Sequence, residues 1–272
     1  MTAFLSSAPP QFERMSPHLL DLEVDTLPSP IERPFVAKMD GLGRRNAALR
    51  TVPDVDWARF SSRLNSAVLR PGQTLYAPGQ DIERVYFPNS GLISLLAETE
   101  AESVEVAVVG NEGVVGALAA LNGEPSNMRA LVQAPGTALW FSASDLREEY
   151  ARGGAFGRWV LRYFGYLLAH SSQCALCNRL HTVEERLARW LLQCSDRLDS
   201  QELSITHEFI SQMLGTRRSG VTVGLGVLSK AGLLDLSRGH IVIADPHGLE
   251  QTACRCYTAL RPSYDGLWQE SA

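Results

Sequence analysis

The sequence has no run of 18 or more apolar residues. Its most apolar segment, FGRWVLRYFGYLLAH, is interrupted by two arginines, whereas a bilayer-spanning helix needs about 20 predominantly apolar residues. A membrane span is therefore not expected. The N-terminus lacks the basic and apolar regions of a secretory signal. Cysteine is sparse: five residues in a chain of 272, an odd number, with none before Cys174. That argues against a secreted disulfide scaffold and for a reducing cytoplasm. A general excess of positive charge is missing too, the formal net charge being −5. The chain is not basic throughout, but a local basic patch is still compatible with this balance. No solenoid-length repeat, nucleophile–base spacing, paired-carboxylate motif or cofactor loop stands out.

What is present is ordinary globular composition, 45% apolar and 20% charged, with enough length for two domains. Residues 1–45 hold Pro9, Pro10, Pro17, Pro28, Pro30 and Pro34 without sustained periodicity and read as a disordered tail; translation starting at Met39 explains them equally well. From Leu69 onward, LRPGQTLYAPGQDIERVYFPNSGLISLLAE sets Gly72, Gly79 and Gly91 between short β-branched and aromatic runs. Short strands separated by glycine turns predict an antiparallel roll, continued by SVEVAVVG and NMRALVQAPGTALWF, with GVVGALAALNG as a short helix inside it. The fold class expected is α+β, with the roll over 46–150.

After Ser144 the period becomes helical. Val160, Tyr163, Leu167, His170, Cys174, Cys177 and His181 follow a 3-4 spacing, the pattern of a paired-helix seam, so 151–181 is expected to be a dimerisation helix. The segment TVEERLARWLLQCSDRL is a separate helix: Thr182 and Glu185 form a capping box, and Leu187, Trp190, Leu191 and Cys194 its apolar face.

The stretch GTRRSGVTVGLG from Gly215 has the glycine spacing of a phosphate-binding loop, but Val221 stands where the lysine belongs. A phosphate loop also follows a buried strand, whereas THEFISQML is helical, with Thr206 as N-cap. Two helices joined by a glycine turn form a helix-turn-helix, whose second helix can enter a major groove. Ile210 and Leu214 give the first helix its apolar face, Ser211 is small at the crossing, and Val221, Leu225 and Leu228 line the second. LLDLSRGHIVIAD adds a two-stranded wing with Arg238 at its tip. Between Ser204 and His240 the net charge is +2. The candidate DNA contacts are Thr206, His207, Arg217, Arg218, Ser219, Thr222 and Arg238, arginine suiting guanine or phosphate. Gly220, Gly224 and Gly226 each weaken a helix by roughly 1 kcal/mol relative to alanine; close approach of DNA or a neighbouring helix would explain Gly220 and Gly224, and partial disorder before DNA binds is the alternative. The winged helix-turn-helix spans 182–257, followed by a tail over 258–272.

The segments LRPGQTLYAPGQDIERVYFPNSGLIS, VEERLARWLL and ITHEFISQMLGTRRSGVTVGLGVLSKAGLLDLSRGHIVIAD, in this order, resemble the cyclic-AMP receptor protein/Fnr superfamily of bacterial regulators over roughly residues 50–255. The resemblance implies a homodimer on a palindromic double-stranded operator, an effector domain that sets DNA affinity, and RNA polymerase as a further partner if the protein activates. It also implies an effector pocket at Gly116, Ala117, Met128 and Arg129. There the chain departs from the family pattern: the glutamate that takes the ribose hydroxyl is Ala117, and the Arg-Ser pair for the cyclic phosphate falls on Met128 and Arg129. Cyclic-nucleotide binding by the usual contacts is thus not expected. The N-terminal cysteine cluster of iron–sulfur members is absent as well.

His170, Cys174, Cys177 and His181 share one helical stripe, and such side chains suit zinc or copper. A metal-free apolar seam accounts for them as well. Cys254 and Cys256, assigned to a last helix, would point to different faces. No resident cofactor or metal is expected. The function read from the sequence is a DNA-binding transcription regulator. A metal- or redox-sensing regulator is the first alternative, and an enzyme with a regulatory nucleotide-like domain the second.

Overall fold

The computed structural model describes residues 44–100 and 102–269. All but the last two residues of the expected N-terminal tail lie outside them. Two short helices that the sequence reading did not separate from the roll come first, α1 (Ala47–Arg50) and α2 (Asp54–Ser61). Buried Asn46 caps α1 by accepting from Ala48 N–H, and its amide donates to the carbonyls of Pro88 and Gly113 at 2.9 and 2.8 Å.

The roll is built from two antiparallel sheets. One has the order β1 (Asn65–Leu69), β7 (Gly136–Ser142), β3 (Arg84–Pro88). The other runs β2 (Thr74–Tyr76), β6 (Arg129–Ala134), β4 (Leu92–Glu98), β5 (Ser103–Val109). Their inner faces meet in one core, where Val85, Phe87 and Phe141 oppose Ile93, Leu95, Val109 and Val132. Alternation along β4 sends Leu92 and Leu96 the other way, into a second core. The strand is apolar on both faces because both are covered. Helix α3 (Ala117–Asn122) lies within the roll and α4 (Ala143–Ala151) closes it, capped by Ser142 rather than begun at Ser144.

Helix α5 (Gly154–Leu180) follows, then α6 (Val183–Leu198), whose predicted capping box at Thr182 and Glu185 is present. The helix-turn-helix consists of α7 (His207–Leu214) and α8 (Arg218–Lys230). Strands β8 (Glu202–Leu203), β9 (Leu234–Ser237) and β10 (His240–Ile243) form a small sheet of order β8-β10-β9. The last elements among the described residues are α9 (Pro246–Thr252) and α10 (Cys256–Gly266). Residues 258–266 of the expected tail thus lie in α10. Leu260 and Leu267 are buried, Trp159 Nε1 donates to the Leu267 carbonyl at 2.9 Å, and α10 packs on α5.

Candidate nucleic-acid interface and effector region

The turn of the helix-turn-helix depends on Gly215, which ends α7 in the left-handed region at φ 56°, where a side chain is strained. Val221, Leu225 and Leu228 of α8 are fully buried against α6 and α7, as the sequence pattern requires. Gly224 is explained by helix packing, because a Cβ there would stand 2.7 Å from Leu187 Cδ1 of α6. Gly226 faces open space and Gly220 has only Thr216 Oγ1 nearby, at 3.7 Å; nothing in the structure explains these two.

The seven candidate DNA contacts fall on one motif. Thr206 caps α7 by accepting from Phe209 N–H at 3.2 Å, and His207 Nδ1 pairs with Thr222 Oγ1 at 3.1 Å, linking the starts of the two helices. Arg217, Arg218 and Ser219 are exposed at the start of α8. Arg218 holds a loose contact to Glu208 at 3.7 Å, both side chains mostly in solvent, too weak an ion pair to hold the arginine away from a ligand. Arg238 occupies the exposed turn of the β9–β10 hairpin beside Gly239, at φ 75°.

The four candidate effector residues fall at the start of α3 and the start of β6. Gly116 starts α3 at φ 88°, and its backbone hydrogen-bonds the buried Tyr76 hydroxyl. Ala117 is buried. Met128 packs against the roll core. Arg129 points to the opposite face of β6 from Ala130 and Val132, which line the roll interior, and pairs with Glu98 at 3.0 Å. Strand alternation thus turns this arginine out of the roll.

Helix α5 departs from the expectation of a seam. Val160, Tyr163, His170, Cys174 and Cys177 are buried within their own chain and Leu167 is half-buried against the roll core. The 3-4 spacing marks an apolar stripe but not what covers it, and here the roll and the C-terminal helices do. The opposite face is the exposed one: Leu161, Leu168, Leu176 and Leu180 are 59%, 71%, 43% and 66% exposed. The 3.6-residue period places Leu161, Gly165, Leu168, Ser172 and Leu176 on one stripe.

The four-residue Cys/His stripe also divides. Burial, the main cause, holds the His170 imidazole well below its ordinary range, and its Nδ1 has no hydrogen-bond partner. Burial likewise pushes the Cys174 thiol up. Cys177 and His181 instead meet Cys254 and Cys256, the four ligand atoms lying within 4.8 Å of one another. Cys254 precedes α10 rather than belonging to it, so helical geometry does not force the two cysteines apart. The Cys177 thiol is pushed down to about 5, chiefly by the hydrogen bond it shares with Cys254, which is pushed up in turn.

The roll and the C-terminal half share their second core. Leu92, Leu96 and Val108 pack with Leu187 and Leu191 of α6. Across the same boundary Trp190 Nε1 donates to Glu105, Gln133 Nε2 to Cys194 Sγ at 3.3 Å, and Gln212 Nε2 to Ser103 Oγ at 2.8 Å.

Comparison with known proteins agrees with this geometry. Residues 67–152 match the cyclic nucleotide-binding domain model and residues 185–252 the Crp-like helix-turn-helix domain model. The chain is 24% identical over 225 residues to the CRP-like cAMP-activated global transcriptional regulator of Mycobacterium tuberculosis, covering 79% of this chain and all of that one. It is 24% identical over 185 residues to the global nitrogen regulator of a Nostoc species, covering 64% and 82%. Among solved structures, FixK2 from Bradyrhizobium japonicum superposes with a TM-score of 0.62 at 18% identity, covering 70% and 98%. Fold and matched domains define the class, a transcription regulator with a helix-turn-helix and a cyclic nucleotide-binding-like domain. The chain belongs to the cyclic-AMP receptor protein/Fnr superfamily. No helix among the described residues is long and apolar enough to cross a membrane.

Proposed function

We propose that the protein is a cytoplasmic homodimer that reads a palindromic duplex and answers to an effector other than a cyclic nucleotide. The observation that carries the DNA reading is the exposure of Arg217, Arg218 and Ser219 on the first turn of α8, the part of a recognition helix that reaches base edges. Thr206, His207, Thr222 and Arg238 flank it, suited to phosphates. In this reading Arg218 grips guanine. Arg218→Ala then weakens binding by about 1–3 kcal/mol and relaxes preference at one position of each half-site. Equal weakening on every sequence would make it a phosphate contact instead.

The dimer is formed through the exposed stripe of α5, with Leu161, Leu168 and Leu176 facing their copies. Two-fold symmetry then presents both α8 helices to one side of a duplex, as a palindrome requires. The outward turn of Arg129 and its pairing with Glu98 support a roll that does not receive a cyclic phosphate. RNA polymerase is a partner if the protein activates.

A further inference from the structure

Cys177 and His181 lie one helical turn apart at the end of α5, with His181 its C-cap. Cys254 lies in the joint between α9 and α10 and Cys256 opens α10; this segment comes back to the end of α5 through a hydrogen bond from Cys254 N–H to the Glu185 carbonyl. The three cysteines form a small buried cluster of their own, while His181 is partly exposed. Cys177 Sγ and Cys254 Sγ are 3.5 Å apart, and Cys256 Sγ and His181 Nδ1 3.4 Å. Tetrahedral coordination with Zn–S of about 2.3 Å and Zn–N of about 2.0 Å sets ligand atoms roughly 3.5–3.8 Å from one another. Four ligand atoms so close surround one ion and leave no room for an iron–sulfur cluster. Three cysteines and a histidine are a donor set of structural zinc.

A second observation points the same way. Arg186 and Arg189 of α6 are 7% and 4% exposed, and among the described residues neither has a carboxylate within ion-pair distance. Each Nε lacks a hydrogen-bond partner. Arg186 is held by Asn178 Oδ1 and the Leu214 carbonyl, Arg189 by Gln193 Oε1 and, at 3.9 Å, Cys174 Sγ. A buried cation with no carboxylate in ion-pair contact is costly, and for Arg189 the buried Glu105 acts only from beyond that distance. A divalent ion bound by three thiolates and a neutral imidazole carries a net charge of −1, which these guanidiniums would offset.

We propose that Cys177, His181, Cys254 and Cys256 bind one zinc-class divalent ion per chain, tying the end of α5 to the α9–α10 joint. Gln173 Nε2, which donates to Cys256 Sγ at 3.0 Å, orients that ligand, as outer-shell donors do in zinc sites. The tie spans the junction between α5 and α6, so occupancy sets how firmly the winged domain sits on the helix that leads from the roll. His181 on the exposed side is the route by which the ion enters and leaves.

The test uses the full-length chain, purified under reducing conditions, with elemental analysis followed by cobalt titration of the stripped protein. The expected result is one zinc per chain and, on titration, the visible bands of tetrahedral thiolate-bound cobalt, saturating at one equivalent. Cys254→Ser and Cys256→Ser abolish stoichiometric uptake, whereas Cys174→Ser and Cys194→Ser retain it. If a serine variant fails to fold, the cobalt spectrum of the parent chain decides. Absence of stoichiometric binding by the reduced parent would overturn the proposal. So would uptake that survives the Cys254→Ser/Cys256→Ser double change, or a purified chain carrying a Cys177–Cys254 disulfide and taking up no metal after reduction.

Discussion

Arg197 Nε donates to Glu112 Oε1 at 2.7 Å with both side chains almost completely buried, 3% and 0% exposed. The pair joins four parts of the chain. Glu112 lies in the loop after β5 and also accepts from Gly110 N–H, Arg197 is on α6 and donates to Tyr166 of α5 at 2.6 Å, and its guanidinium covers the Tyr264 ring of α10. Loss of one partner strands the other charge in the interior. Arg197→Met is expected to destabilise the fold by about 3–5 kcal/mol, and adding Glu112→Gln to recover a large part. Urea unfolding of the two variants checks this; equal losses in both would show that the ion pair is not the cause.

A second buried group at the same boundary gives a pH dependence. The Glu105 carboxyl is pushed up to about 7 from an ordinary 4.5, chiefly by burial; Trp190 donates to Oε1 at 2.8 Å and Oε2 has no partner. The folded chain keeps this proton where the unfolded chain has released it. The stability it contributes is full below pH 4.5 and lost as pH rises through about 7, a change of about 3 kcal/mol. Glu105→Gln should flatten the stability profile across that window and be more stable than the parent at alkaline pH. Denaturation at both ends of the window measures it, and an unchanged profile would contradict the assignment.

The roll was legible in the sequence because glycine turns and β-branched runs are local signals, and the capping box at Thr182 is one as well. What covers a helix face is not local. The stripe through Val160, Tyr163 and His170 has the spacing of a dimer seam, yet the chain's own roll and C-terminal helices bury it. The Cys/His group was half-visible for the same reason. Cys177 and His181 are neighbours on one helix, but the sequence carries no local sign that residues 254 and 256, more than 70 positions on, return to them. Residues from 258 on read as a tail in the sequence, whereas Leu260 is buried and Leu267 and Trp268 pack on the core that α5 shares.

Leu168 is 71% exposed on the free face of α5, so a charge there leaves the single chain undisturbed. Leu168→Arg should yield a folded monomer, its melting profile showing that the roll and winged domain persist. Sedimentation of an intact dimer would move the interface elsewhere.

With Ala117 in the place that the resemblance gives to a ribose-binding glutamate and Arg129 turned to Glu98, neither group that the resemblance assigns to a cyclic nucleotide is supplied inside the roll by these positions. Millimolar cyclic AMP or cyclic GMP should leave the melting temperature unchanged. A ligand at 100 times its dissociation constant adds about 2.7 kcal/mol, so binding would be plain in a thermal scan. A saturable shift lost in Arg129→Ala would show that Arg129 serves the site after all.

In the proposed dimer, two copies of α8 read one duplex symmetrically. Selection of bound DNA from a random duplex pool by the purified full-length protein tests it most directly. The expected enrichment is an inverted repeat whose half-site centres lie about 10 base pairs apart, lost when Arg217 and Arg218 are both changed to alanine. Enrichment of an asymmetric single site, or of no sequence, would contradict it.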